Sequence, residues 1–509
     1  MAQGVLSFKY EEERGTSGMT ALAGLPVYLD LMHVMGLSES VERHLHVRDG
    51  GQGWTDAQMI LSLVLLNLAG GDCVEDLRTL EGDEGFCRVL RQVEFKALPR
   101  RQRRERARRW RRERHRSVPS PSAVFRYLAA FHNSEEEEKR RAGTAFIPLS
   151  NEHMQGFSWI NRDLMSEAQR MHPQKTATLD MDATIVDTHK SEALFCYKGM
   201  KAYQPLNTWW FEQGMVAHTE FRDGNVPAGF EQLRVFEETL DLLPEGVENV
   251  RLRSDTAGYQ HDLMRYCEEG KHRRFGRIEF AIGCDVTAAF KEAVSGVEEA
   301  DWTPLTTEVN GCRFQTGREW AEVCFVPNAI GKSTKDPVYR YIAIREVAVQ
   351  SQLPGMEDQM ELPFSTMTMD RTRYKIFGIV TNMDWEGEGL VNWLYKRCGK
   401  SEEAHAIMKD DLAGGRFPSG KFGENAAWWW IMAVALNVNA LMKRIVLREP
   451  WIPRRMKALR YSLINLPGRV LERSREMVIR VSKRNPVFDL LIVARSRIKA
   501  LSRHLPDSG

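Results

Sequence analysis

The chain of 509 residues lacks the features that mark secreted, membrane-spanning and zinc-ribbon proteins. Its first residues, MAQGVLSFKYEEERG, have neither the basic start nor the apolar core of a signal peptide. No apolar run reaches transmembrane length without interruption, and the best candidate, AAWWWIMAVALNVNALM, contains Asn437 and Asn439, so we expect a buried helix. The eight cysteines include no C-x-x-C pair, which favours free thiols in a reducing compartment. We therefore predict a cytoplasmic protein without a membrane partner.

The small net charge of +2 hides two strongly basic segments. Between Arg100 and Arg116 there are eleven arginines against two glutamates, with Trp110 among them. From Lys443 to the last residue there are seventeen Lys and Arg against five Asp and Glu. Both segments are basic enough to bind a polyphosphate, although a solvated helix or a disordered arm explains one such run equally well. The residues of the first run that we expect to contact phosphates are Arg103, Arg104, Arg108 and Arg111.

Hydrophobic periodicity predicts alternating helical and strand-rich regions. Helical patterning covers about 20 to 95, with Thr55 as a candidate cap. It resumes in SVPSPSAVFRYLAAFH, which suits the opening of a helix and is compatible with part of a helix-turn-helix. The strand-like segments are 176–186, 214–222, 248–255 and 276–284, followed by a second β-rich stretch between about 300 and 382. Helical patterning resumes at about 386 and continues nearly to the end. This order indicates an α/β core that carries an insertion.

Carboxylates stand at unusual positions in this pattern. In TATLDMDATIVDTH, Asp180 and Asp182 fall on one face of a predicted strand, where two like charges repel each other. Asp255 ends the strand ENVRLRSD, and catalytic groups commonly occupy the carboxyl ends of strands in α/β sheets. Glu402 and Lys409 lie seven residues apart, which puts them on one face of an α-helix, although an exposed helical Glu and Lys are usually only solvated.

Three carboxylates from two strands and a helix are suited to hold divalent cations. Two hard cations about 4 Å apart, bound by oxygen ligands, clamp the attacking and leaving oxygens of a phosphoryl transfer. A cation would also neutralise at least one member of the repelling aspartate pair. The alternative is a strand face that merely lies in water.

Five blocks of the sequence resemble the DDE transposases of bacterial insertion sequences, in the superfamily with the signature Y-x2-R-x3-E-x6-K and its thirteen-eighty group. The signature is matched by Tyr395, Glu402 and Lys409, with Cys398 where Arg is usual. Besides this signature, the five blocks are LDMDATIVDTHK, YKGMKAYQPL, FRDGNVPAG, RSDTAGY and, after the glutamate, RFPSGKFGENAAWWWIMAVALNVNAL. The similarity runs from about 176 to 447 in consistent order.

This resemblance implies an α/β fold with a ribonuclease-H-like catalytic core, interrupted by a β-rich insertion and flanked by helical N- and C-terminal regions. The implied boundaries are 1–150 for a DNA-binding N-terminal region with the arginine-rich segment 100–116, 151–300 and 383–447 for the two core parts, 301–382 for the insertion, and 448–509 for a basic helical C-terminal region.

The implied catalytic and metal-binding triad is Asp182, Asp255 and Glu402, with Asp180 as a supporting acid and two Mg²⁺ or Mn²⁺ ions as cofactors. Tyr395 and Lys409 are implied contacts to DNA phosphates. Arg397 replaces the missing arginine only if the helix bends or frays, because one helical position is a rotation of about 100°.

The implied activity is metal-dependent cleavage and joining of double-stranded DNA, at the inverted-repeat ends of an element and in target DNA, by a homodimer associated with the nucleoid. Trp302 and Trp320 are candidates for stacking on a flipped base, with core packing as the alternative. Two rival functions remain open: a domesticated, non-catalytic DNA-binding protein, and a ribonuclease-H-like nuclease that cuts without strand transfer.

Overall fold

The computed structural model describes most of the chain, namely residues 18–48, 53–96, 101, 104, 116–309, 311–327, 337–348, 365–397, 400–473 and 476–502. Its helices in chain order are α1 (Pro26–Val34), α2 (Leu37–His44), α3 (Asp56–Ala69), α4 (Leu77–Gly82), α5 (Glu84–Lys96), α6 (Pro121–Leu128), α7 (Ser134–Glu137), α8 (Glu152–Met171), α9 (Gln232–Leu242), α10 (His261–Glu268), α11 (Ala288–Ser295), α12 (Gly387–Tyr395), α13 (Lys400–Ala406), α14 (Phe422–Leu441), α15 (Met456–Leu459) and α16 (Phe488–Ser502).

The strands in chain order are β1 (Met19–Thr20), β2 (Thr176–Ala183), β3 (Val186–Asp187), β4 (Ala202–Tyr203), β5 (Leu206–Trp210), β6 (Met215–Glu220), β7 (Asn249–Ser254), β8 (Glu279–Cys284), β9 (Thr303–Val309), β10 (Cys312–Val323), β11 (Arg340–Val347), β12 (Thr366–Met369), β13 (Thr372–Thr381), β14 (Gly468–Arg473) and β15 (Glu476–Val481). The predicted strand-like segments and the second β-rich stretch therefore contain strands.

A large mixed sheet forms the centre of the fold, which confirms the predicted α/β class. Its strand order is β6-β5-β2-β7-β8-β13-β11-β10-β9, with β12 paired to β13. Strand β2 lies between antiparallel β5 and parallel β7, and β8 continues parallel to β7. The strands predicted as an insertion extend this same sheet, because β13 pairs directly with β8 from Gly378 opposite Cys284 to Thr381 opposite Ala281.

Local capping chemistry explains where two of the predicted helices begin. Thr55 accepts a hydrogen bond from the backbone N–H of Gln58, and the Gln58 side chain accepts one from Thr55 in return, so α3 starts with a capping box. Ser120 caps α6 through the N–H of Ala123, with Pro121 in the first turn. Both predicted helix starts are confirmed.

The most apolar segment is a buried helix, as predicted. Helix α14 continues through a π-helical segment, Met442–Leu447. Together they form the one straight helix among the described residues that is long and apolar enough to cross a membrane, and 83% of its most apolar 18 residues are buried inside the protein. Its two asparagines are buried but hydrogen-bonded: Asn437 donates to Asn161 Oδ1 (2.6 Å), and Asn439 accepts from the Tyr28 hydroxyl (2.8 Å). These contacts offset the cost of burying amides, so helix α14 serves as the centre of a protein core.

The prediction of a wholly helical C-terminal region is wrong. Strands β14 and β15 pair with each other, and β14 pairs with β1, where Met19 lies opposite Arg469. Helical periodicity is a local signal, whereas this small sheet depends on a partner strand at the other end of the chain.

Candidate active site

The central strands place two of the three predicted acids at one edge of the sheet. Parallel strands β2 and β7 align Met181 with Ser254, so Asp182 and Asp255 are the next residues on their respective strands. Neighbouring strands lie about 4.8 Å apart. Both aspartates line one cavity of about 850 Å³. Asp255 is exposed and accepts a hydrogen bond from the Ala257 N–H (3.0 Å), which holds the turn that follows the strand.

The predicted third acid lies on a short helix, and its side chain is outside the described part of the structure. Glu402 belongs to α13, which passes directly into a wider π-helical turn, Ile407–Asp411. The predicted two regular turns between Glu402 and Lys409 are therefore wrong in detail, and π turns of this kind are frequent at functional sites. Lys409 lines the same cavity as the aspartates, and its Nζ donates to the Ile185 carbonyl (3.3 Å).

Asp180 is bound by an arginine, which answers the question raised by two acids on one strand face. Arg253 Nε donates to Asp180 Oδ1 (2.6 Å) and Nη2 donates to Oδ2 (2.8 Å), and both side chains are almost completely buried. Burial raises the pKa of Asp180, while the Arg253 charge opposes that rise. Both carboxylate oxygens accept from Arg253, so Asp180 belongs to a buried ion pair in this structure, and its expected role as a supporting metal ligand stays a prediction.

Arg397 also faces the strand rather than solvent. It follows the last residues of α12, is 8% exposed, and its Nη2 lies 3.3 Å from Asp182 Oδ2. Its Nε is buried, and none of the described residues forms a hydrogen bond with it. The helix does end before Arg397, as a substitute for the missing arginine at position 398 would require. The guanidinium contacts Asp182 in this structure, and its expected contact to DNA stays a prediction.

His405 approaches Asp182 from the other side and was missed in the sequence. Its Nδ1 lies 4.0 Å from Asp182 Oδ2. Burial, with the nearby charges of Lys409 and Arg397, lowers the pKa of His405 to about 4. The available signal was its spacing, since three residues after Glu402 is nearly one helical turn.

A buried hydrogen-bond chain determines which ring nitrogen of His405 carries the proton. Trp429 Nε1 donates to Thr219 Oγ1 (2.9 Å), and that hydroxyl donates to Asn207 Oδ1 (2.7 Å). The Asn207 amide nitrogen therefore faces His405 Nε2 (3.4 Å), which must accept. A neutral His405 then has its proton on Nδ1, directed at Asp182. Asn207 is itself the strand partner of Asp182 across β2 and β5.

The aromatic side chains predicted to contact DNA, Trp302, Trp320 and Tyr395, pack against other parts of the protein. Trp302 is 6% exposed, with the Arg345 guanidinium 4.3 Å above its ring. Trp320 covers Gly387, where an added Cβ would collide with the indole. Trp302 is thus packed inside the protein, which is the core-packing alternative, whereas Trp320 is half-buried against Gly387. Base stacking by these rings stays a prediction. The Tyr395 ring is half-buried beneath Arg318 (5.5 Å).

The predicted arginine contacts lie mostly outside the described residues. Arg103, Arg108 and Arg111 are not among them, and Arg104 is exposed in a helical position. The phosphate contacts expected from these side chains stay a prediction.

The described residues supply some, but not all, of the ligands that a divalent cation would need. They contain no group of three or more His, Cys, Asp and Glu side chains that could hold a metal, with the Glu402 side chain outside the search. Asp182 and Asp255 nevertheless present hard oxygen ligands to one cavity. The cationic Arg397 beside Asp182 shows that this carboxylate already balances a positive charge.

Comparison with known proteins identifies one family across most of the chain. Residues 12–503 match the family described as transposase DDE domain group 1. No curated protein is significantly similar to the sequence. Among solved structures, a piggyBac transposase synaptic complex with hairpin DNA is 8% identical, with a TM-score of 0.41 over 95% of this chain and 80% of that chain.

Proposed function

The chain belongs to the transposase DDE domain group 1 family, and from this premise we propose that it is a DNA transposase of an insertion sequence. It binds the inverted-repeat ends of the element, cleaves DNA there by two-metal phosphoryl transfer, and joins the 3′ ends to target DNA. The observation that carries the proposal is the meeting of Asp182, Asp255 and Lys409 in one open cavity at the end of two parallel strands.

The arrangement of the sheet supports a ribonuclease-H-like catalytic core. In chain order β2, β5, β6, β7 and β8 are the main strands of the first core part, and they are contiguous in the sheet with β2 in the middle. Asp182 is the penultimate residue of the middle strand, and Asp255 follows its parallel neighbour. We propose that residues 301–382 are an insertion into this core that extends the sheet beyond β8, and that the chain falls within the thirteen-eighty group.

The proposed cofactors are two Mg²⁺ or Mn²⁺ ions held by Asp182, Asp255 and Glu402. Bound there, they would polarise phosphate oxygens and lower the pKa of an attacking water. The protein's own contribution is to place the acids. Asn207 orients His405, which lies beside the Asp182 carboxylate, and Arg397 supplies a positive charge there until a cation does so.

The proposed partners are double-stranded DNA and a second copy of the chain. Lys409 and Tyr395 are the proposed phosphate contacts from the core, and the arginine-rich segment 100–116 adds contacts that are independent of sequence. Each strand transfer exchanges one phosphodiester for another, so no energy cofactor is required. A homodimer would synapse two ends, in the cytoplasm and at the nucleoid.

The test is cleavage and joining of a labelled duplex that carries the inverted repeat flanking the coding sequence. We expect the wild-type protein to cut the end and join it to target DNA with Mg²⁺ or Mn²⁺. Asp182→Asn and Asp255→Asn should each reduce cleavage by at least about 100-fold and leave end binding nearly unchanged, because the metals act on the transition state more than on docking.

The control is Asp301→Asn, which removes an exposed carboxylate far along the chain from these acids and should cleave as the wild type does. Cleavage without joining would indicate a nuclease. Binding without cleavage by the wild-type protein with either metal would indicate a non-catalytic DNA-binding protein, and both results would overturn the proposal.

A further inference from the structure

A tight turn beside the acids exposes three large apolar side chains. Phe195 is 59% exposed, Tyr197 is 79% exposed and Met200 is 38% exposed, all within six residues. Single exposed apolar residues are common on protein surfaces, whereas a local cluster marks an interaction site. We call residues 195–200 the aromatic turn.

The aromatic turn is built to hold these side chains outward. Its base is closed by a bridge between Phe195 and Lys201, and the Cys196 N–H donates to the Met200 carbonyl (2.9 Å). Gly199 has a φ of 75°, which glycine adopts without strain. The buried side chain of Cys196 anchors the turn to the protein. The backbone that carries the rings is therefore held in one conformation, which lowers the entropic cost of binding.

The same turn borders the candidate active site. Phe195, Tyr197 and Lys198 line the cavity that contains Asp182, Asp255 and Lys409. The Lys198 ammonium lies 5.8 Å from the centre of the Tyr197 ring. Aromatic faces interleaved with lysines are the surface chemistry that binds unpaired nucleic acid: rings stack on bases, and ammonium groups meet phosphates.

We propose that the aromatic turn stacks on unpaired bases of the DNA end, with Tyr197 as the principal ring and Phe195 beside it, and that it thereby positions the phosphate to be cleaved over Asp182 and Asp255. This inference rests on the proposed function. It assigns the stacking role to rings that are more exposed than the buried Trp302 and the half-buried Trp320. Tyr197 and Phe195 are positioning residues, because they act on bases rather than on the reacting phosphate.

The experiment uses the full-length protein and a duplex end with 2-aminopurine in place of a base next to the cleavage site. Its fluorescence reports unstacking from the duplex and restacking on an aromatic ring. Binding is measured with Ca²⁺ in place of Mg²⁺, so that the signal is read before cleavage. We expect Tyr197→Ala to abolish the protein-induced fluorescence change and to slow cleavage roughly 5- to 150-fold, the range expected for one lost base–aromatic stack.

Two variants separate stacking from general effects. Tyr197→Trp should keep both the fluorescence change and the cleavage rate, because it retains a flat ring. Tyr461→Ala removes another strongly exposed tyrosine, 86% exposed in the C-terminal region, and should behave as the wild type.

The outcomes separate this inference from the proposed function. A wild-type protein that cleaves, together with Tyr197→Ala and Phe195→Ala variants that cleave equally fast with an unchanged fluorescence signal, overturns the aromatic-turn inference alone. Failure of the wild-type protein to cleave overturns the proposed function instead. Slower cleavage with a normal fluorescence change would also contradict stacking, since the loss would then arise at another step.

Discussion

Two positions on β2 differ in how they hold a carboxylate. We call the buried position of Asp180 the floor of the candidate site, and the position of Asp182, which lines the open cavity, its mouth. At the floor, Asp180 accepts two short hydrogen bonds from Arg253, and both side chains are removed from water. At the mouth, two residues later, Asp182 lies 3.3 Å from Arg397 and 4.0 Å from His405, and it lines an open cavity of about 850 Å³. The first pair is suited to structure, while the second acid lines the cavity in which we propose that cations bind.

The difference follows from the position of each acid along β2. Asp180 lies opposite Arg253 in the parallel register with β7, so a long side chain from the neighbouring strand reaches it directly. Asp182 lies just beyond the last aligned pair, Met181 with Ser254, where β7 ends and the open cavity begins, while β2 continues to Ala183. A two-residue step therefore separates an acid in a buried ion pair from an acid that lines the open cavity.

The largest expected effect is the loss of the buried ion pair at the floor. Arg253→Ala leaves the Asp180 carboxylate buried without its partner, which should lower the free energy of unfolding by about 3–5 kcal/mol. Urea denaturation followed by circular dichroism measures this change.

The matched control for that variant is Arg251→Ala. Arg251 is on the same strand and pairs with Glu279, but both side chains are partly exposed, so the expected loss is at most about 1 kcal/mol. Equal destabilisation by the two variants would contradict a special role for the buried pair.

A smaller effect, on the cleavage rate, is expected from breaking the hydrogen-bond chain that orients His405. Asn207→Ala leaves His405 Nε2 and Thr219 Oγ1 without the partner that defines their directions. Supporting contacts of this kind around metal sites typically contribute 10- to 100-fold, and we expect cleavage to fall by roughly tenfold or more. The comparison variant is Asn249→Ala, an exposed asparagine at the start of β7, which should retain full activity. Normal cleavage by Asn207→Ala would mean that these hydrogen bonds serve packing alone.

The prediction of the site from sequence succeeded where local signals sufficed. Alternation of apolar and polar residues indicated β2, and the end of β7 indicated Asp255. Local patterns could not indicate that Arg253, 73 residues away, neutralises Asp180, because that contact depends on strand pairing. For the same reason the small sheet of β1, β14 and β15 and the pairing of β13 with β8 were missed. His405 was missed because its partner residues lie on β5 and β2, far away in the chain.

The smallest expected effect concerns the arginine-rich segment. Changing Arg103, Arg104, Arg108 and Arg111 to Ala should weaken binding to element ends and to random duplex alike. Each lost phosphate contact reduces the slope of log affinity against log salt by about 0.9, so the slope should flatten by roughly two to four units. Salt titrations on both DNAs measure this. An unchanged slope would mean a solvated arm, and a selective loss on element ends would mean that these arginines read bases.

The most direct test of the contrast between floor and mouth compares Asp180→Asn with Asp182→Asn in two assays on the same preparations, urea unfolding and end cleavage. For Asp180→Asn we predict a loss of unfolding free energy of about 3–5 kcal/mol, because Arg253 loses its buried counter-charge. For Asp182→Asn we predict nearly normal unfolding and end binding, with cleavage reduced by at least about 100-fold. Equal loss of stability in both variants, or normal cleavage by Asp182→Asn, would contradict the division between a structural and a catalytic aspartate.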